Sequence, residues 1–430
     1  MEPARERELP YAWVIVGLAF LALAVSTGLR STIGLLIRPW EQEFGWDRAA
    51  VSLTASFGFL AYGLAQPLAG RWADRYGPRL VFAGSLALLG ASTAAVGVIR
   101  NLWQAYLAFG IGLMAAVGGA STVPAAVAVA RWIKRRTALA VGIVAAGSAA
   151  GQLALVPAVA ALVKAWGWRT TFVWSGAGVL VVALPLIWFF LKDDPPGGAE
   201  ARVARDAADG RPRPLAEIAR QRNFWWLIGS YWVCGFTTAG LIDTHFIPYA
   251  QDVHIDTLTA ATAFGVLGTF NVLGTLCSGA VSDRWGHKQV LGAIYAGRAA
   301  TLVFLLAVRE PVMLFAFAVA FGIVDFATVP PTTALCVTLF GRRSGGTVIG
   351  LVSLSHQVGS AVGSYAGGLI HDLAGSYALY FLSAACLCVA AAAMSWAISE
   401  APEPLPPGPH PRPRAPGGIV ATAPAGEQTS

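Results

Sequence analysis

The sequence predicts an all-α membrane protein whose twelve transmembrane helices form two pseudo-symmetric six-helix bundles. Three observations carry this expectation. Hydrophobic residues fill 56% of the 430 positions and charged residues only 12%, against about 25% charge in an ordinary soluble domain. Twelve apolar segments reach the roughly 20 residues that a bilayer core demands. A charged decapeptide also recurs at corresponding places in the two halves.

The spans are expected at 11–37, 48–70, 79–99, 101–130, 137–163 and 168–191, then at 224–250, 258–281, 288–307, 311–338, 345–371 and 374–398. They divide the chain into a cytoplasmic N-terminus (1–10), a first bundle (11–191), a cytoplasmic linker (192–222), a second bundle (223–398) and a disordered Pro-rich cytoplasmic tail (399–430). The linker contains "KDDPPGG" and "DGRPRP", too charged to bury and too rich in proline for one helix. The tail reads "APEPLPPGPHPRPRAPGG", a composition that cannot pack a core. The first ten residues carry both signs of charge and no cleavage site follows, so no signal peptide is expected.

Charge sets the orientation. With both termini inside, the cytoplasmic segments hold 22 of the 30 Lys and Arg residues, and the outside holds six: Arg38, Arg48, Arg100, Lys164, Arg169 and Arg309. This is the positive-inside pattern. The formal charge of +7 therefore records topology rather than a nucleic-acid partner. Compact loops point to a bacterial inner membrane as the plasma membrane concerned. The five cysteines lie in apolar runs without metal-ligand spacing, so they read as packing residues, and neither metal nor cofactor is expected.

The repeat lies in the loops. "GRWADRYGPR" runs from Gly70 to Arg79 and "GAVSDRWGHK" from Gly279 to Lys288, 209 positions later. Other matches keep nearly that offset: "RRTALAVG" ending at Gly142 with "RRSGGTVIG" ending at Gly350, and Gly167 and Phe172 with Gly375 and Tyr380. Several ordered matches mean two parallel copies of one six-helix unit. Gly70 and Gly279 permit close helix approach, Gly77 and Gly286 allow a tight turn, and Asp74, Arg75 and Arg79, with Asp283, Arg284 and Lys288, supply a charged latch. The bland alternative is a solvated loop whose charges only set topology.

These loops resemble the G-x-x-x-D-R-x-G-R/K-R/K signature of the major facilitator superfamily, with Pro78 and His287 each replacing one base. The likeness covers roughly residues 10 to 400, and "IRPWEQEFGW" from Ile37 to Trp46 resembles the monocarboxylate transporter and oxalate/formate antiporter group. The resemblance implies a central site lined by the first, fourth, seventh and tenth helices. It also implies that a basic residue of the first helix contributes to substrate-anion or proton handling, a position that either Arg30 or Ser31 fills. The Asp and Arg that animal-type monocarboxylate carriers hold four residues apart on the eighth helix are replaced by Asn271 and Thr275, so a proton relay by that pair is excluded.

Cost gives an independent list. Ionisable residues within spans are expensive and tend to face protein or a cavity: here Arg30, Asp243, His245, Arg298, Asp325 and His356. Arg30 lies eight residues, about 12 Å, inside Arg38. It either binds a substrate carboxylate or pairs with Asp243. Arg298 and Asp325 form either a proton-coupling pair or a permanent structural bridge. His245 is a gate or proton site or an interfacial hydrogen-bonded histidine, His356 is a proton site or only a packing contact, and Gln66, Gln152 and Asn271 add polar contacts.

No nucleophile elbow, phosphate loop ending in Gly-Lys-Ser/Thr or H-E-x-x-H site occurs, so no catalysis is expected. The expected function is secondary active transport of a small organic anion, a monocarboxylate, by proton symport or anion exchange, with the chain working as a monomer. Proton-coupled efflux of drugs or metabolites is the alternative, followed by a non-transporting sensor.

Overall fold

In the computed structural model, residues 10–133, 137–194 and 215–399 are described, and among them there are helices and no strands. The expected N-terminus, most of the linker, the tail and the side chain of Asp74 lie outside that description.

The first half comprises α1 (Pro10–Arg30), α2 (Ile33–Phe44), α3 (Arg48–Tyr76), α4 (Pro78–Val96), α5 (Leu102–Ala105), α6 (Met114–Gly119), α7 (Thr122–Trp132), α8 (Thr137–Gly178) and α9 (Leu184–Phe190). The second comprises α10 (Leu215–Ala219), α11 (Arg222–Gly235), α12 (Thr244–Asp252), α13 (Thr257–Trp285), α14 (His287–Leu305), α15 (Pro311–Asp325), α16 (Val329–Ala374) and α17 (Ala378–Trp396). Eight stretches are long and apolar enough to cross a membrane. One of them, Leu139–Phe190, turns at Gly167, which takes φ 77°, and so covers two expected spans. The expected spans 224–250, 288–307 and 345–371 are helical but fall outside those eight. Large apolar side chains such as Val312, Leu373 and Val181 stand 77%, 79% and 73% exposed, a surface suited to hydrocarbon rather than water.

Local chemistry ends the helices where the repeated loops occur. Gly77 and Gly286 take φ 92° and 91°, a region costly for any residue with a Cβ. Each therefore lets one helix stop and the next begin immediately. Pro78 occupies the first turn of α4, where its missing N–H costs nothing. At the opposite end, Asp256 caps α13 by accepting from the N–H groups of Leu258 and Thr259, both at 3.1 Å.

The repeat reappears in the packing. Gly151 lies against the backbone of Ala24, and Gly359, 208 positions later, lies against that of Trp232, itself 208 after Ala24. A side chain at either glycine would overlap main chain, so the same small residue brings α8 onto α1 and α16 onto α11.

The halves meet along α3 with α16 and α8 with α13, and the crossing bonds are unevenly placed. Arg38 and Arg48 reach Asp252, the N–H of Ala49 donates to Asp372 (2.7 Å), and Ser56 donates to the carbonyl of Ala361 (2.7 Å). All lie toward the far end, away from the repeated loops. Among the described residues, Gly70 and Gly279 approach Val123 and Pro330 of their own halves. The far end is thus joined, whereas the repeat-loop end shows bonds within halves.

Candidate functional site

Four expected spans are irregular within their length: the first, fourth, seventh and tenth. The first breaks at Ser31–Thr32, the fourth at Ala120–Ser121 after a wide π-type stretch (Tyr106–Leu113), the seventh widens over Phe236–Asp243, and the tenth tightens to a 3₁₀ turn at Phe326–Thr328. Another wide stretch lies at Val179–Ala183 in the sixth. Such distortions free backbone groups and re-aim side chains, and wide turns recur at functional sites.

Two of these distortions face each other. Arg30 is the last residue of α1, where a cation suits the helix dipole, and Asp243 ends the wide stretch of the seventh span. Their side chains form an ion pair across the two halves, Nη2 to Oδ2 at 2.8 Å, with 13% and 9% exposure. The turn after Arg30 is held by the Thr32 hydroxyl, which donates to the carbonyl of Leu29 at 2.6 Å. Beyond it, Gly34 lets α2 run against the carbonyl of Thr244, so the two chains cross closely there. The pair leaves donors unused: the buried Nε of Arg30 has no partner, nor does the buried hydroxyl of Ser31. Half-buried Tyr62 sits beneath Arg30, 5.8 Å from ring centroid to guanidinium carbon. In the second half, Tyr231 and His356 approach to 5.1 Å between ring centroids.

A second polar cluster lies wholly within the second half. Arg298 is fully buried. Its Nη1 donates to the hydroxyls of Thr237 (3.0 Å) and Thr238 (3.2 Å) and to the Cys234 sulfur (3.4 Å). Its Nη2 donates to the carbonyl of Val324 (2.9 Å) and to that of Asp325. The Asp325 carboxylate stands 3.7 Å away and takes its closer bonds from Thr238 (2.6 Å) and Asn271 (3.1 Å). Cys234, expected only to pack, is a member of this network, and all five cysteines are free.

The far end carries a third cluster. Arg48, 5% exposed, holds both oxygens of Glu41 at 2.6 and 3.0 Å and Asp252 at 2.7 Å, and it donates to the Tyr377 hydroxyl at 3.3 Å. Asp252 also receives Arg38 at 2.5 Å and His371 at 3.2 Å. Burial works against ionising Asp252, but hydrogen bonds from His371, Arg48 and Arg38 hold its carboxyl below the usual range. His245 joins this cluster rather than the Arg30 pair. Its Nε2 donates to the Ser364 carbonyl at 2.8 Å, leaving Nδ1 to accept from Tyr377 at 2.9 Å, the pattern of a neutral imidazole. Nearby, the "IRPWEQEFGW" stretch packs Phe44 on Trp46 at 4.2 Å and ties Glu43 to Trp168 and Arg169.

The remaining expected residues are scattered. Gln152 donates to the Phe264 carbonyl across the halves at 3.4 Å, and Gln66 is half-buried. His356 is half-buried, its ring 3.5 Å from the Ser360 hydroxyl. In the repeated loops, Arg79 donates to Asp193 and Trp188 and Lys288 to Ile398, all within their own halves, while Arg75, Asp283 and Arg284 are exposed. No metal-binding cluster of His, Cys, Asp or Glu occurs among the described residues.

Sequence reasoning missed Tyr62, Tyr231 and the far-end cluster. Tyr62 lies one turn before Gln66, a spacing that puts both on one helix face. The breaks had a signal too: "STVPAA" from Ser121 and "ATVPPT" from Ala327 share Thr-Val-Pro 206 positions apart, at matching interruptions.

The family model described as Major Facilitator Superfamily matches residues 18–285 and 244–426. An uncharacterized MFS-type transporter of Bacillus subtilis strain 168 is 27% identical over 386 residues, covering 87% of this chain and 91% of that protein. Monocarboxylate transporter 12-B of Danio rerio is 26% identical, covering 88% and 85%. The oxalate:formate antiporter of Oxalobacter formigenes is 24% identical, covering 67% and 68%. Among solved structures, a bacterial homolog of the human lysosomal transporter Spinster, inward-facing and occupied, superposes with a TM-score of 0.71 at 19% identity, covering 90% and 97%.

Proposed function

The chain belongs to the major facilitator superfamily and is a multi-pass membrane transporter of small solutes; from that premise we propose that it carries a small monocarboxylate by proton symport or anion exchange. The observation that carries the reading is the Arg30–Asp243 pair, a cation with an unused buried donor at the junction of the two halves. A guanidinium binds a carboxylate through two parallel N–H donors. The substrate anion takes the place of Asp243 on Arg30. The similarity to proteins named monocarboxylate transporters and oxalate:formate antiporter supports the same chemistry.

Charge accounting sets the coupling. Two unit charges ~4 Å apart attract by about 4 kcal/mol at an effective dielectric near 20, so Asp243 leaves Arg30 only when another anion replaces it. The site then holds one extra negative charge. A proton taken up by the carboxyl groups of the second half restores balance, as does departure of a second anion. Ser31, Gln66 and Gln152 supply polar contacts on the way, while Asn271 stays on Asp325.

The orientation we infer puts the repeated loops and both termini in the cytoplasm of a bacterial cell and the far end outside. The crossing bonds at the far end then correspond to a carrier closed to the outside. Alternating access breaks them as the repeated loops latch, and a single chain suffices.

The test is uptake of labelled carboxylates into proteoliposomes, with and without an imposed pH gradient. Arg30→Gln abolishes uptake while the protein still folds, and Arg30→Lys retains part of it. Absent carboxylate flux together with export of lipophilic cations overturns the reading in favour of drug efflux.

A further inference from the structure

The cluster around Asp325 differs from a structural ion bridge in one respect: the cation does not depend on the carboxylate. Arg298 directs Nη1 and Nη2 at two hydroxyls, a sulfur and two main-chain carbonyls, and the carboxylate lies 3.7 Å off. Neutralising Asp325 therefore leaves these bonds in place. The carboxylate is held by Thr238 and by the amide of Asn271, at 2.6 and 3.1 Å. The Asn271 oxygen is buried and has no partner.

That unused oxygen matters because an amide has two faces. With Asp325 ionised, the amide nitrogen donates to it, as seen. With Asp325 protonated, a half turn of the amide brings the oxygen to the same place, where it accepts the new O–H. Gly274 and Gly322 press α13 and α15 together on either side of this contact, so neither residue can withdraw and both charge states stay hydrogen-bonded.

We propose that Asp325 is the proton-binding carboxyl of this carrier, with Asn271 as the reversible amide partner that satisfies it in both states. The site is linked to the substrate pair by short covalent paths. Thr238 and Asp243 belong to the same wide stretch, and the tenth span breaks directly after Asp325. The charged and titratable groups that act on it are Arg298 of α14 and Cys234 and Asp243 of the seventh span; Arg298 in turn faces Tyr295 of α14 and Cys388 of α17, and Cys234 faces His356 of α16. When an anion claims Arg30, a proton on the Asp325 carboxyl leaves the charge of Arg298 to balance the released Asp243. The proton enters with the anion and leaves with it at the opposite face. This inference rests on the anion-carrier reading for its purpose, but not for its test.

Infrared difference spectroscopy on the full-length protein in lipid detects a protonated carboxyl directly. The expected result is a carboxylic C=O band that titrates with pH in the wild type, is lost in Asp325→Asn and persists in Asp243→Asn. In Asn271→Leu it moves to higher wavenumber, as the acid loses its acceptor. Asp325→Glu keeps a shifted band and guards against a folding defect in the Asn variant. A band unchanged in Asp325→Asn, or lost instead in Asp243→Asn, overturns the proposal whatever the substrate. In proteoliposomes, Asp325→Asn reduces pH-driven carboxylate uptake roughly tenfold more than it reduces exchange; equal reduction also counts against it. A wild type without carboxylate flux refutes the anion reading alone, and the band still decides this one.

Discussion

Two arginine–aspartate pairs lie within the bundle, and they are built on opposite principles. Each guanidinium leaves its buried Nε without a partner, but Arg30 and Asp243 meet directly, across the two halves, and Asp243 is the hydrogen-bond partner of Arg30. Arg298 and Asp325 stay within one half, stand farther apart, and are each satisfied chiefly by neutral neighbours. A pair that must exchange partners is best left under-bonded, whereas one that must survive a change of charge is best supported by groups that carry none. Buried ion pairs add little net stability over apolar packing, yet removing one partner is costly because the other is stranded.

The largest effect should come from the enclosed pair. Arg298→Met strands Asp325 and frees the acceptors on Thr237, Thr238 and the Val324 carbonyl, and a loss of about 3–5 kcal/mol is expected. Thermal unfolding in detergent measures it, and Arg298→Met with Asp325→Leu should recover much of the loss. If Arg30→Met proves equally destabilising, the contrast between the pairs fails.

Arg30→Lys sharpens the contrast functionally. An ammonium can pair with a carboxylate but cannot offer the planar fork, so carboxylate affinity should fall roughly tenfold to a hundredfold, or about 1.5–3 kcal/mol for charged hydrogen bonds. Equilibrium binding of labelled carboxylate reads this out, with thermal stability close to the wild type.

The far-end cluster tests whether opening is separable from either pair. Asp252→Asn removes the negative charge, and one of the two acceptor oxygens, shared by Arg38, Arg48 and His371. Labelling of a cysteine placed beside Arg30 by an impermeant reagent should then speed up several-fold, since each lost charged bond contributes about 1.5 kcal/mol or more. In the wild type the sign with pH follows from the lowered carboxyl of Asp252. The closed arrangement has its full contribution above about pH 4, the ordinary value for a free Asp, and loses it as pH falls through the lowered one. Labelling should therefore accelerate in acid, and Asp252→Asn should flatten the profile.

The smallest effect provides the control. Asp256 caps α13 through main-chain N–H groups and belongs to none of the three ion-pair clusters, and Asp256→Ala should cost about 1 kcal/mol in thermal unfolding without altering transport.

Much of the architecture was legible in the chain. The doubled loop located Gly77 and Gly286, which take the positive φ that a tight turn requires. The offset of 208 returned as a real contact, Gly151 on Ala24 and Gly359 on Trp232. Arg30 was readable as a charge inside an apolar run, but the break at Ser31–Thr32 that interrupts the helical rise between it and Arg38 was not. The far-end cluster was not readable: Arg48, Asp252 and His371 each look like ordinary interfacial charge, and Tyr62 and Tyr231 look like core aromatics.

By itself, then, the sequence determined that the chain is a helical membrane protein, that it contains one unit twice, and which few charged residues its spans hold. Those properties are written locally, in hydropathy, helical period and repeated turns. Only the tertiary structure decided that Arg30 pairs with Asp243 213 positions away, that His245 belongs to the far end, and that Asp325 leans on Asn271 more closely than on Arg298. The physical reason is that a buried charge must find a partner somewhere, but which one is set by helix rotation and crossing. These arise from packing between segments far apart in the chain, and no local pattern records them.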